Sequence, residues 1–131
     1  MTLQTMFALY ADSNWHRLVR PQGIGANVDE LFQAERQHQE VEPKFTTKEG
    51  GIYDLVTIDG THYVVPQPGL ILGERYFRWE AFDRMFETPG IKSHPQLAVE
   101  VEVIRPAVVE LWLGRWIVLQ KGEVRARRFL C

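Results

Sequence analysis

The sequence predicts an α+β fold: a strongly curved five-stranded antiparallel sheet or SH3-like small barrel with one inserted helix, preceded by an N-terminal helical segment. Two observations carry this. From Ile52 onward the hydrophobic period is two, and the apolar runs are separated by the turn dipeptides Asp59-Gly60, Gly114-Arg115 and Lys121-Gly122. Between the second and third of these runs the aromatic stretch from Tyr76 to Phe86 follows helical spacing. A chain of 131 residues with 45% hydrophobic content can build one sizeable core but not two. The expected organisation is therefore a single domain over 1–131, with a helical segment at 1–50 and a barrel-like core at 51–131.

Taken in order, Leu3, Met6, Phe7 and Tyr10 fall at i, i+3, i+4 and i+7, and Trp15, Leu18 and Val19 resume the rhythm after Asp12-Ser13. Helix is expected across the first twenty residues. Pro21-Gln22-Gly23-Ile24-Gly25 breaks regular structure as a flexible connector. Asn27, three residues before Glu30, has the spacing of a capping box for a helix from Val28 to about Gln39. That helix is apolar only at Val28, Leu31 and Phe32, so its second half meets water or a partner. The stretch from Val41 to Gly51, with Pro43 and Gly50-Gly51, reads as a connector.

Asp59-Gly60 between two β-branched runs predicts a two-residue hairpin pairing Ile58 with Thr61 and Val56 with Tyr63. One face then carries Val56, Ile58, Tyr63 and Val65, the other Tyr53, Leu55 and Val64, and both need cover. Pro66-Gln67-Pro68-Gly69 ends the hairpin, and a helix from Tyr76 to Phe86 stops at Thr88-Pro89-Gly90. Leu97, Val99, Val101 and Val103 alternate with Glu100 and Glu102, which predicts a strand with one dry face and both glutamates in water. After Pro106, a strand over Ala107–Leu113 turns at Gly114-Arg115 into Trp116–Gln120. That register sets Trp112 opposite Ile117 and Leu113 opposite Trp116, with the two tryptophans on opposite faces. Lys121-Gly122 turns again into Glu123–Phe129.

The spaced residues Tyr63, Val65-Pro66, Pro68-Gly69, Phe82, Phe86, Pro106-Ala107, Trp116, Leu119 and Lys121-Gly122 give residues 51–124 a resemblance to a small C-terminal module of many uncharacterised cyanobacterial proteins. The resemblance implies a phototrophic bacterial source and a module used beside varied upstream segments, as interaction and localisation domains are. It implies no activity, because the shared positions are turn and core residues.

Composition removes several chemistries. Fifteen basic against seventeen acidic side chains give a formal charge of -2, without the global field of a nucleic-acid or lipid-surface binder. Cys131 is the only cysteine, so no intrachain disulfide or thiolate cluster forms. With no basic, apolar leader at Met1–Met6 and no run of about 20 apolar residues, a soluble protein of a reducing, cytoplasmic compartment is expected. His16, His38, His62 and His94 are scattered singly, which leaves no metal site and no cofactor. His62 beside the hairpin turn, opposite Thr57, lacks a paired carboxylate and reads as a solvated turn residue. Gly23-Ile24-Gly25 lacks the third glycine and preceding parallel strand of a phosphate loop, since Val28 stands in that frame. Glu100 and Glu102, about 7 Å apart on a strand face, carry no sign of desolvation.

A surplus of aromatics remains. Tyr76, Trp79, Trp112 and Trp116, with Arg115, exceed what a small sheet and one short helix can bury, and these residue types dominate binding hot spots. They are the expected partner-binding residues of a non-enzymatic protein-interaction module: an adaptor, assembly factor or subunit of a larger complex that binds another protein, with a homo-oligomer also compatible. Two alternatives stand behind it. A nucleic-acid-binding small barrel would use Lys121, Arg125, Arg127 and Arg128 beside the two tryptophans, and an enzyme of unknown type would need a site the sequence does not display.

Overall fold

The computed structural model describes residues 1–12, 14–72, 79–91 and 98–130. Two short helices, α1 (Leu3–Tyr10) and α2 (Trp15–Val19), lead into strand β1 (Gln22–Ala26), helix α3 (Val28–Arg36) and strand β2 (Phe45–Thr47). Strands β3 (Tyr53–Ile58), β4 (Thr61–Pro66) and β5 (Ile71–Leu72) follow, then helix α4 (Trp79–Met85) and strand β6 (Phe86–Glu87). The chain ends in β7 (Ala98–Arg105), β8 (Ala107–Trp112), β9 (Arg115–Gln120) and β10 (Gly122–Leu130). Six strands close an antiparallel barrel in the order β1-β2-β9-β8-β4-β3, and β5-β7-β10-β6 form a second, four-stranded sheet.

The β3–β4 hairpin has the expected register, Ile58↔Thr61 and Val56↔Tyr63, and Asp59 and Gly60 both take positive φ, 50° and 79°. Its two faces are both covered. Tyr53, Leu55 and Val64 point into the barrel core, whereas Val56, Ile58 and Val65 form a second core with Met6 of α1 and Trp15 of α2. The amphipathic N-terminal helices therefore bury the outer face of a strand pair that is apolar on both sides. Thr2 caps α1 by accepting the Thr5 N–H at 3.1 Å.

The expected connectors at 21–25 and 41–51 instead contain the barrel strands β1 and β2, while β7 and β10 leave for the second sheet, so the barrel has six strands rather than five. β1 pairs with β3 (Ile24↔Tyr53) and with β2 (Ile24↔Thr47), so it closes the cylinder. Neither strand alternates clearly, because what selects them is close approach to other backbone. A Cβ added at Gly51 would lie 2.2 Å from the Ile24 carbonyl oxygen, and one at Gly23 2.5 Å from that of Lys48. Asn27 does not cap α3 as expected: its side chain accepts from the Lys44 N–H at 2.8 Å and donates to the Glu42 carbonyl at 3.1 Å, tying the start of α3 to the approach to β2. The stronger use of this amide is to satisfy a non-local backbone pair.

Of the expected Tyr76–Phe86 helix, residues 76–78 lie outside the described residues, Trp79–Met85 is helical, and Phe86 leaves the helix to enter β6, which runs parallel to β10. Phe82 and Phe86 are buried and stack on Tyr53 with ring centroids 6.2 and 6.3 Å away, closing the barrel interior at the end where β3 begins. β10 does not fold back on β9 as the Lys121-Gly122 turn predicts. It crosses to pair with β7, with bulges near Glu123 and Ala126. Val99 is buried and Val101 and Val103 are partly so, while Leu97 lies outside the described residues. Glu102 is exposed as expected, but Glu100 is half-buried and holds Arg128 at 2.7 Å, because β10 brings that guanidinium alongside it.

Candidate functional site

Among the described residues, the β8–β9 hairpin holds half of the exposed large apolar side chains. Its turn falls at Leu113-Gly114, with φ of 50° and 79°, so the pairs are Trp112↔Arg115 and Leu111↔Trp116. The expected Gly114-Arg115 turn is displaced by one residue and the register by two. Left-handed φ at Leu113 costs roughly 1–2 kcal/mol, against about 1.5–3 kcal/mol for burying a large apolar side chain. The observed register makes that burial: Trp116 slides inward to 5% exposure, across from Phe45 of β2.

Because a two-residue shift preserves the alternation, the two tryptophans still occupy opposite faces. Trp112 is 60% exposed and stands with Ile117 and Leu119 on the outer face, while Leu113, 78% exposed, forms the tip. Trp116 thus leaves the expected contact set and belongs to the core. Tyr76 lies outside the described residues, and of Trp79 only the backbone position at the start of α4 is described.

Beside this face runs a cleft of about 440 Å³ between β9 and the strand-free segment Glu42–Lys44. Lys44, Arg84, Arg115 and Lys121 line it against the single acid Glu42, which Arg84 approaches at 3.6 Å. Among the described residues Lys44, Arg115 and Lys121 make no ion pair. The hollow is apolar along Ile117 and Leu119 and cationic at its rim.

The arginines expected to contact nucleic acid are arranged differently. Arg125 bonds Glu123 at 2.9 Å, Arg128 bonds Glu100 at 2.7 Å, and Arg127 lies 3.9 Å from the same Glu100. Arg105 bridges Glu87 and Glu123. The β10 cations are interleaved with acids on the second sheet, and Lys121 lines both the cleft and, with Arg125, a second hollow beside β6.

Two polar constellations were not assembled by the sequence reading, which had only set His62 opposite Thr57. Asp54, 2% exposed on the outer face of β3, accepts the Trp15 indole N–H at 2.8 Å and lies 3.0 Å from His16 Nε2. Burial holds its carboxyl above the usual aspartate range, although Trp15, His16 and Gln67 each pull it down. The Tyr10 hydroxyl donates to the Pro66 carbonyl at 2.6 Å, and burial likewise pushes that hydroxyl up. The arrangement anchors both helices to the hairpin. An aspartate inside an otherwise apolar strand face was the available signal.

The second lies where the inward rows of the barrel end, opposite α4. Gln22 and the Trp116 indole both donate to the Thr47 hydroxyl at 3.2 Å, His62 meets the Trp116 ring at 5.2 Å, and His62 Nδ1 lies 2.7 Å from the Thr57 hydroxyl. His62 is therefore half-buried in a collar of mutually satisfied groups rather than simply solvated. His94 lies outside the described residues.

Among the described residues no group of three His, Cys, Asp or Glu could hold a metal ion, and no helix is long and apolar enough to cross a membrane. A scan against protein-family models finds no match, and searches of curated proteins and of solved structures find none either.

Proposed function

We propose that the chain is a non-enzymatic protein-interaction module, acting as an adaptor, assembly factor or subunit of a larger complex in a reducing, cytoplasmic setting. The observation that carries this is the outer face of β8–β9, where Trp112, Ile117 and Leu119 stand exposed beneath the Leu113 tip, with Arg115 across from Trp112 and Glu110 across from Ile117. Scattered apolar residues on a surface are ordinary, but several on one hairpin face with a tryptophan and an arginine mark a contact site. The resemblance of residues 51–124 to a recurring cyanobacterial module supports the same reading. An SH3-like strand order is not required for docking on an exposed hairpin. Nucleic-acid binding is disfavoured by the glutamates that hold Arg125, Arg127 and Arg128.

The test places a photo-crosslinking side chain at position 112 and, as a control, at the exposed Gln33 of α3. In lysate of the source organism a stoichiometric protein adduct is expected from position 112 alone, lost when Leu119 is changed to Ala. Equal adducts from both positions, or salt-sensitive retention on heparin without any adduct, would overturn the proposal.

A further inference from the structure

A hollow where β3 begins is set apart from the hairpin face. It encloses about 330 Å³ between the end of β1, the first turn of α3, the β2–β3 turn and α4, and shares no lining residue with the cleft beside β9. That volume is near the lower end of the ~300–1,000 Å³ of ligand sites, which is room for a small molecule. Its walls are apolar at Ala26, Val28, Ile52 and Ala81.

Polar groups open on this apolar lining. Lys48 and Asp29 both line it, and among the described residues neither makes an ion pair. The lysine is placed by a glycine: a Cβ at Gly25 would lie 2.7 Å from Lys48 Cδ, so only bare backbone lets that stem lie across β1. Asn27 is engaged with the Lys44 and Glu42 backbone, which leaves the first-turn N–H groups of α3 without a side-chain cap. Tyr53, 1% exposed, lines the hollow as well. Burial and then the Asp83 charge push its hydroxyl up, and no hydrogen bond among the described residues offsets them. Because no sealed side-chain oxygen there is left without a partner, the small exposed part of Tyr53 is that hydroxyl, opening on the hollow.

We propose that this hollow binds a free aliphatic α-amino acid in its zwitterionic form. The carboxylate meets Lys48 and the uncapped amides of α3, where the helix dipole favours negative charge. The ammonium meets Asp29, and the branched side chain lies on Val28, Ile52 and Ala81. A simple anion would satisfy Lys48 but be repelled by Asp29, and a simple cation the reverse, so only a ligand carrying both charges uses both residues. The Tyr53 hydroxyl, able to donate or accept, adds one more hydrogen bond. This site goes beyond the hairpin contact and does not depend on it.

The test titrates the intact chain by NMR with L-valine, with N-acetylvaline, which keeps only the carboxylate, and with valinamide, which keeps only the ammonium. Valine is expected to bind at least tenfold tighter than either, shifting the Val28 and Asp29 N–H signals. Lys48→Met should weaken valine at least tenfold and leave the weaker binding of valinamide unchanged. Asp29→Asn should weaken valine by a similar factor without weakening N-acetylvaline. Gly25→Ala, which pushes only a flexible stem aside, should weaken valine while the barrel strands stay protected from exchange. N-acetylvaline bound as tightly as valine would make this an anion site, and valinamide bound as tightly a cation site; either result overturns the proposal. So does the absence of any shift at Val28 and Asp29 with millimolar valine.

Discussion

The Trp15 indole donates to Asp54 Oδ2 at 2.8 Å, and this bond, beside that of Tyr10 to Pro66, joins the N-terminal helices to the barrel through a carboxylate that is almost wholly buried. Asp54→Ala would leave the indole N–H without its acceptor at a cost of about 1–3 kcal/mol. Amide exchange should quicken across α1 and α2 while the barrel strands stay protected. Asp54→Asn, whose amide oxygen can still accept, should lose less. Equal loss in both variants would show that the charge on Asp54, not the hydrogen bond, holds the helices.

The same carboxylate makes stability depend on pH. Burial, the largest influence, raises its folded pKa above the unfolded value, so the native state binds the proton more tightly. Its stabilising contribution is fully present below the ordinary aspartate value of about 3.9 and is lost as pH rises through the raised folded value. The stability difference between the natural chain and Asp54→Asn should therefore fall across that window and level off above it. A carboxyl carbon titration of Asp54 with its midpoint at or below the ordinary value would contradict this.

Trp112 and Trp116 should respond in opposite ways to truncation. Trp112→Ala removes an exposed side chain and should leave the thermal midpoint within a few degrees while weakening partner binding by roughly 2 kcal/mol. Trp116→Ala empties a core position and releases the Thr47 hydroxyl, and should cost about 3–5 kcal/mol. Comparable midpoints for the two variants would contradict the register.

Leu113→Asn should stabilise the chain by roughly 1 kcal/mol, because Asn followed by Gly accepts the two left-handed positions that leucine adopts at a penalty. Leu113 is exposed, so no core contact is lost. Chemical denaturation would read the gain as a higher midpoint at unchanged slope.

Gly51→Ala should be among the most damaging single-methyl additions, since the new Cβ meets the Ile24 backbone at the β1–β3 seam. The colliding atom is backbone inside the barrel and cannot swing aside. A marked loss of thermal stability is expected; a variant as stable as the natural chain would mean that the seam can open without cost.

The features legible in the chain before folding are local ones. The Asp59-Gly60 turn, the register it sets, the double-sided burial of β3–β4 and the opposite facing of Trp112 and Trp116 all follow from turn chemistry and strand alternation between neighbours in sequence. Partnership between distant segments was settled only on folding. β1 and β2 joined the barrel through pairings such as Gln22↔Leu55 and Phe45↔Trp116, and β10 chose β7 over β9. Those choices rest on glycines that let backbones close and on the net gain from seating Trp116. Asp54 found its indole donor 39 residues upstream in the same way, through a proximity that exists only once α2 has packed on the hairpin. Periodicity reports which face of an element is apolar, not which other element will cover it, because that depends on packing free energies summed over the whole core.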